Sequence, residues 1–229
     1  MTTPVAVMTQ EPKLSVSFQK PKVSQKKNSE VLLDYSFLSM SKITDILESS
    51  YIEPRPQLGK KPKKIEVERV NEDGEVEKVE KYETFGLRLT SNAINDDGLE
   101  PMLKVLDDII VDAMAITWID LSSNLLTKIN GDVFCNLKLK ILYLHDNAIS
   151  DLKEVDKLGG IPTLSKLTLH CNPIANDHRA FYRQYALSKI PQLKSFDFST
   201  VTKADRVTAE MWNRNFNAQK KKAKTDENE

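Results

Sequence analysis

The sequence predicts an α/β solenoid, with a short parallel sheet on a concave side and helical or irregular segments on a convex side. Three observations predict it. The segment 139–149, LKILYLHDNAI, places apolar residues at Leu139, Leu142, Leu144 and Ile149, with Asn147 between the last two. The same spacing returns upstream in ITWIDLSSNLL, as Ile116, Ile119, Leu121, Asn124 and Leu126, and downstream in LSKLTLHCNPI, as Leu164, Leu167, Leu169, Asn172 and Ile174. Consecutive asparagines, at 124, 147 and 172, then stand 23 and 25 residues apart.

A weaker copy, TFGLRLTSNAI, puts Thr84 in the first apolar place and keeps Leu87, Leu89, Asn92 and Ile94. A last partial copy, LKSFDFS, keeps Leu193, Phe196 and Phe198 and lacks the asparagine. The shared form is L-x-x-L-x-L-x-x-N-x-L, the leucine-rich-repeat pattern, whose period is about 20–29 residues. One match would mean little, because leucine is common. Three near-complete matches with aligned asparagines make a strong signal. Physically, x-L-x-L is a short strand, and successive strands stack in parallel. Their leucines build one core that a single repeat could not bury. Each asparagine sits where the strand turns away and its amide can satisfy backbone groups there. The asparagines read as structural.

The remaining elements follow in order. Residues 1–30 are rich in Lys, Ser, Gln, Thr and Pro, with five lysines against two glutamates and no periodicity. They read as disordered in isolation, either a solvated tail or an arm that orders on an acidic partner. Residues 31–83 read as an N-terminal cap segment with a charged insertion or hairpin. In 31–58, the apolar residues Val31, Leu32, Leu33, Tyr35, Phe37, Leu38, Ile43, Ile46 and Leu47 suit a solenoid end that must be covered. Residues 41–50 could form a short helix, and Pro54 and Pro56 force an extended exit. In 60–83, IEVERV and VEKVEKY flank Asn71-Glu72-Asp73-Gly74. That is a hairpin signal with opposing charges placed to pair across it. The rival reading is a disordered charged insertion.

The repeat domain with its C-terminal cap spans 84–217. Leu99, Met102, Leu103, Leu106, Ile109, Ile110 and Met114 recur at helical spacing, so one long convex helix is expected over 99–114. It accounts for the longer interval of 32 residues between Asn92 and Asn124. A shorter helical turn is expected over 151–158, ended by Gly159-Gly160. Thr202 with Asp205 can cap a helix from about 203 to 218, with Val207, Met211 and Trp212 toward the core. Residues 218–229 form a charged tail, expected to fray.

Composition narrows the function classes. Lys+Arg and Asp+Glu both number 33, so the formal net charge is zero and no strong steering toward nucleic acid or membrane is implied. Two cysteines, Cys135 and Cys171, make no disulfide framework and suit a reducing compartment. No apolar run reaches membrane-spanning length, and the N-terminus shows no secretory signal. Cytoplasmic localisation is expected. With seven glycines there is no Gly-rich phosphate loop, and neither cysteine has the spacing of a metal pair. No catalytic residue, cofactor or metal is expected, and the chain is not read as an enzyme.

The x positions between inward leucines face outward on the concave sheet. They are Arg88, Trp118, Asp120, Ile141, Tyr143, His145, Lys166, Thr168, His170 and Asp197. Trp118, Ile141 and Tyr143 cluster among charges of both signs, the usual composition of a protein-binding hot spot. The alternative is that the N-terminal segment half covers Trp118. His145 and His170 fall at the same repeat position on strands about 4.8 Å apart. With Asp146 and Cys171 they could in principle hold zinc, but consecutive strand residues point to opposite faces. Surface histidines, or a histidine pair at a protein contact, fit better.

The C-terminal region carries a family resemblance. Tyr182-Arg183-Gln184-Tyr185, Ile190-Pro191 with Leu193, Phe196-Asp197, Val201-Thr202 and Asp205-Arg206 resemble the C-terminal cap of 22-residue-type leucine-rich-repeat proteins. That group includes a protein phosphatase regulatory subunit and a spliceosomal protein. LDYSF at 33–37, then WIDLSSN, LYLHDN, LTLHCNP and FDFSTVTKADR, extend the likeness to one branch of that family, over roughly 31–58 and 84–217. This branch is typically non-catalytic and cytoplasmic and tends to occur where cilia occur. The resemblance implies a protein-binding scaffold in the axoneme of a cilium or flagellum, or in its assembly. Axonemal proteins or tubulin are the implied partners, with the chain a monomer within a larger assembly. A regulatory subunit of a soluble enzyme such as a phosphatase is the second reading. A nucleic-acid assembly factor is the third, and the zero net charge argues against it.

Overall fold

The computed structural model describes residues 32–48, 52–57, 61–71 and 73–226. The expected arm at 1–30 and the last residues of the expected tail lie outside the described residues. Six short strands run parallel: β1 (Leu33–Asp34), then β4 (Gly86–Arg88), β5 (Trp118–Asp120), β6 (Ile141–Tyr143), β7 (Lys166–Thr168) and β8 (Ser195–Phe196), with antiparallel β9 (Ser199–Thr200) at the far edge. Between β1 and β4 lies a separate hairpin of β2 (Lys64–Val70) and β3 (Val76–Tyr82). The parallel register sets Leu87, Ile119, Leu142 and Leu167 opposite one another, and all are buried. In-register leucines are what fuse the repeats into one core.

The asparagines form a ladder along that core. Asn124 Nδ2 donates to the Leu121 carbonyl of its own repeat at 3.1 Å and to the Leu89 carbonyl of the repeat before it at 3.0 Å. Its Oδ1 accepts from the Ile94 N–H at 3.1 Å. Asn147 and Asn172 repeat the arrangement one turn on. Asn92 accepts from the Leu38 and Met40 N–H groups instead. The N-terminal segment therefore supplies the first strand of the sheet as well as its end cover, with Tyr35, Met40, Ile43 and Ile46 buried. The Arg55 N–H donates to the Asp34 carbonyl at 2.6 Å, which occupies the edge of β1. The short helix here, α1 (Asp45–Glu48), is one turn.

The hairpin pairs Lys64 with Tyr82 through to Val70 with Val76. Asn71 Oδ1 accepts from the Asp73 and Glu75 N–H groups, and Gly74 takes φ +83° in the turn. Glu66–Lys78 (3.2 Å) and Lys64–Glu80 (3.6 Å) pair across it. Arg69–Asp108 (3.0 Å) and a Lys81 bond to the Asp107 carbonyl fasten it to the convex side.

The convex segment over 96–115 differs from the long helix expected. It is divided into α2 (Asp96–Leu99), α3 (Met102–Ile109) and a 3-10 turn at Ala113–Ala115. Pro101 has no N–H and starts a new helix at its N-cap. Ile110 leaves helical dihedrals to bridge Tyr82 of the hairpin. Later convex elements are α4 (Gly131–Cys135), a 3-10 helix at Leu152–Gly160, α5 (Pro173–Asp177) and α6 (Tyr182–Lys189). The last helix, α7 (Lys203–Asp226), starts at the expected reciprocal cap: Thr202 Oγ1 accepts from the Asp205 N–H and Asp205 Oδ2 from the Thr202 N–H. It runs past the expected end near 218, and of the three residues expected toward the core only Trp212 packs there. Ala209 is buried and Trp212 partly so, while Val207 and Met211 are exposed. Among the described residues no helix is long and apolar enough to cross a membrane.

Candidate functional site

Strand register builds the concave face in rows. Gly86, Trp118, Ile141, Lys166 and Ser195 form one row, and Arg88, Asp120, Tyr143 and Thr168 the next. The ten residues expected on this face are not equally accessible. Lys166 is exposed, and Arg88, Ile141, Tyr143, His145, His170 and Asp197 are half-buried. Trp118, Asp120 and Thr168 are buried, which corrects the reading of Trp118 as an exposed anchor. The cause is its neighbour in the row. A Cβ at Gly86 would lie 2.4 Å from Leu32 Cδ2 and 3.1 Å from Trp118, so the missing side chain lets Leu32 and the indole close over that place. Arg88 lies 5.2 Å above the indole ring and Tyr143 meets its edge at 5.7 Å, leaving Trp118 only 9% exposed.

Arg88 also stands between two carboxylates, Asp34 at 3.3 Å and Asp120 at 3.7 Å. Both aspartates accept from the N–H and hydroxyl of the serine two residues on, Ser36 and Ser122. Burial opposes the charge of Asp34. The Ser36 bonds and the Arg88 guanidinium outweigh it and hold the carboxyl below its ordinary range. This end of the face is electrostatically closed on itself.

The accessible part lies toward the other end. The β8–β9 turn consists of Asp197 and Phe198, with φ +47° and +60°. Two positive φ values suit a type I′ hairpin turn, usually built from Asn and Gly. Phe198, expected to point inward like the repeat leucines, is instead 63% exposed. Its ring lies 5.7 Å from Tyr143 and from His145 and 5.5 Å from His170. Asp197 explains the turn. Its Oδ1 accepts from the Leu169 and His170 N–H groups at 2.7 and 3.0 Å, and its Oδ2 from the Tyr182 hydroxyl at 2.9 Å. It ties the turn to the preceding repeat, and the chain reverses there. The sequence carried one signal for this, the absence of an asparagine after the last partial copy.

His145 and His170 stack with centroids 4.6 Å apart and rings 9° from parallel. His145 Nδ1 lies 2.9 Å from the Thr168 hydroxyl. Burial, then the neighbouring His170, push the His145 imidazole below its ordinary value. Asp146 and Cys171 take φ +56° and +59° and leave the strand direction. Asp146 accepts from the Ser123 hydroxyl, and Cys171 is exposed. Among the described residues no group of three or more His, Cys, Asp or Glu could hold a metal ion. What the face offers is an aromatic knob, Phe198 on Tyr143 and the histidine pair, within a polar rim.

The family described as "Leucine-rich repeat" matches residues 101–226. Leucine-rich repeat-containing protein 51 of Rattus norvegicus is 40% identical over 195 residues, covering 85% of this chain and 91% of the relative. The U2 small nuclear ribonucleoprotein A' of Schizosaccharomyces pombe is 30% identical over 122 residues, 53% of this chain and 46% of that protein. Among solved structures, the Drosophila melanogaster SNF/U2A' complex matches with a TM-score of 0.45 and 20% identity, over 64% of this chain and 86% of that one. Asparagine ladder, in-register leucines and identity along most of the chain converge: the chain belongs to the leucine-rich repeat-containing protein 51 family and is a leucine-rich-repeat protein–protein interaction module.

Proposed function

We propose that the chain is a non-catalytic adaptor that takes its partner on the concave face, and that the partner is an axonemal or ciliary component. The observation that supports the first part is Phe198. A phenylalanine held in a left-handed conformation costs the fold, and a ring left mostly in water returns little of that cost through burial. Such features persist where a function uses them. Covering Phe198, Tyr143 and Ile141 would supply the desolvated aromatic centre that binding hot spots share. The support for the ciliary reading is the resemblance to a family that tends to occur with cilia.

The test is affinity capture from ciliated cells, with soluble and salt-extracted axonemal fractions kept apart. Wild type runs beside a Tyr143→Ala/Phe198→Ala variant shown to be folded. Axonemal proteins or tubulin captured by wild type and lost by the variant are the expected result. A soluble enzyme captured instead would favour a regulatory subunit. Equal capture by both chains would remove the concave face from the mechanism.

A further inference from the structure

A charged feature away from the concave face is hidden by the zero net charge of the chain. From Pro54 to Ile65 the sequence carries five basic residues, Arg55, Lys60, Lys61, Lys63 and Lys64, and no acidic one. The fold wraps part of this run around a cavity of about 550 Å³, within the size range of small-ligand sites. One wall is the extended segment at 53–56, which the Arg55 N–H ties to the Asp34 carbonyl of β1 at 2.6 Å. The other is the chain at 61–64 that leads into β2, and Tyr82 of β3 completes the lining. Pro54, Pro56 and Pro62 stand in these walls and restrict their backbones. Tyr82 is half-buried, and burial raises its hydroxyl above the ordinary value, so it stays protonated at neutral pH.

The lining is electropositive. Arg55, Lys61 and Lys64 share it with one carboxylate, Glu53, so two positive charges are left over. Glu80 lies 3.6 Å from Lys64 but outside the lining, in an exposed pair of the kind that water largely screens. Arg55 and Lys61 form no ion pair among the described residues. The Arg55 guanidinium donates a long bond, 3.4 Å, to the Ser36 carbonyl, which leaves further N–H groups of its fork for a ligand. Like charges gathered around one space repel, and an anion in that space relieves the repulsion. A carboxylate brings one charge and two oxygens. A phosphate ester brings about two charges at neutral pH and three acceptor oxygens, which match the surplus and can be met from both walls at once. We propose that this cavity binds the phosphate group of a small ligand, either a soluble phosphate ester or a lipid headgroup. The proposal does not depend on the concave-face reading.

The test uses the full-length chain, with the NMR signals of the Tyr82 ring as the report. The soluble probes are inorganic pyrophosphate, inositol trisphosphate, citrate and a single-stranded oligonucleotide. Co-sedimentation uses phosphatidylcholine vesicles with and without phosphatidylinositol phosphate. Lys61→Gln/Lys64→Gln removes two exposed cations from the lining, and Lys166→Gln/Lys194→Gln removes two exposed cations elsewhere. Pyrophosphate and inositol trisphosphate should shift the Tyr82 signals, and the lining variant should bind each about tenfold or more weakly. The other variant should stay within about twofold of wild type, because its charges lie outside the site. Equal loss in both variants would reduce the binding to net charge and overturn the pocket. Citrate bound as tightly as inositol trisphosphate would overturn the choice of phosphate. Tighter binding of the oligonucleotide at Tyr82 would overturn the choice of a small ligand, and no shift at millimolar probe would overturn the site itself. Vesicle binding that needs phosphatidylinositol phosphate and is lost in the lining variant would support a lipid headgroup as the source. Binding of the soluble probes without the vesicles would support a free ester.

Discussion

At the scale of single residues, the fold and the surface make opposite demands on Phe198. Its φ of +60° is a conformation that costs a side-chain-bearing residue about 1–2 kcal/mol. Glycine suits it, and Asp-Gly is a favoured type I′ pair. Phe198→Gly is therefore expected to raise stability by about 1 kcal/mol in urea unfolding while weakening partner capture. A drop in both would make the ring structural. His145 gives a second prediction. Its folded value lies below the ordinary 6.5, because burial and His170 disfavour the charged form. The folded state then binds fewer protons than the unfolded chain below about pH 6.5, so stability falls as pH drops through that region. His145→Gln should flatten the slope there, and the His145 ring signals should titrate below the ordinary value. The asparagines were legible because their role is local: each amide serves its own turn and the one before. The burial of Trp118 was legible only as the alternative of cover by the N-terminal segment, since it depends on Gly86 and Leu32, which sit 32 and 86 residues away along the chain.

At the scale of elements, α7 shows how far a periodicity can mislead about a face. Val207 and Met211 are spaced as a helical pair, yet both are exposed at 57% and 58%. The docking is set elsewhere. Arg206 binds the Pro191 and Leu193 carbonyls, and Arg183 joins Asp205 at 3.1 Å to the Thr200 carbonyl at 3.2 Å. These bonds fix the rotation of the helix and turn Ala209 and Trp212 inward, where Trp212 stacks on Phe181. Ala209→Glu should detach α7, read as faster hydrogen exchange across 203–216 and a lower urea midpoint, because it buries a charge without a partner. Met211→Glu should change stability by no more than about 0.5 kcal/mol. The reverse ranking would mean that the apolar pair carries the docking.

For the whole molecule, stability is shared among stacked neighbours, so the end covers matter as much as the repeats. β1 and the segment after it bury Leu87 and Leu89 and supply the N–H groups that Asn92 Oδ1 accepts. A chain beginning at residue 61 should lose several kcal/mol and tend to aggregate, since it exposes core leucines and an unpaired sheet edge. Denaturant unfolding and light scattering would check this. An unchanged urea midpoint would show that the repeats are self-sufficient.

The repeat architecture, the parallel sheet, the asparagine ladder, the cap at Thr202–Asp205 and the neighbouring histidines can all be read from the amino acids in order. Each follows from short-range periodicity, or from one repeat stacked on an identical one. Folding in three dimensions sets which concave residues meet water, where the last strand reverses, how the segment over 96–115 is divided and which side of α7 is buried. These depend on partners distant in sequence, such as Leu32 over Gly86, Asp197 under the Leu169 and His170 amides, Tyr82 against Ile110 and Arg206 on the Leu193 carbonyl. A pattern specifies a repeat, and contacts between unlike segments specify what the repeat displays.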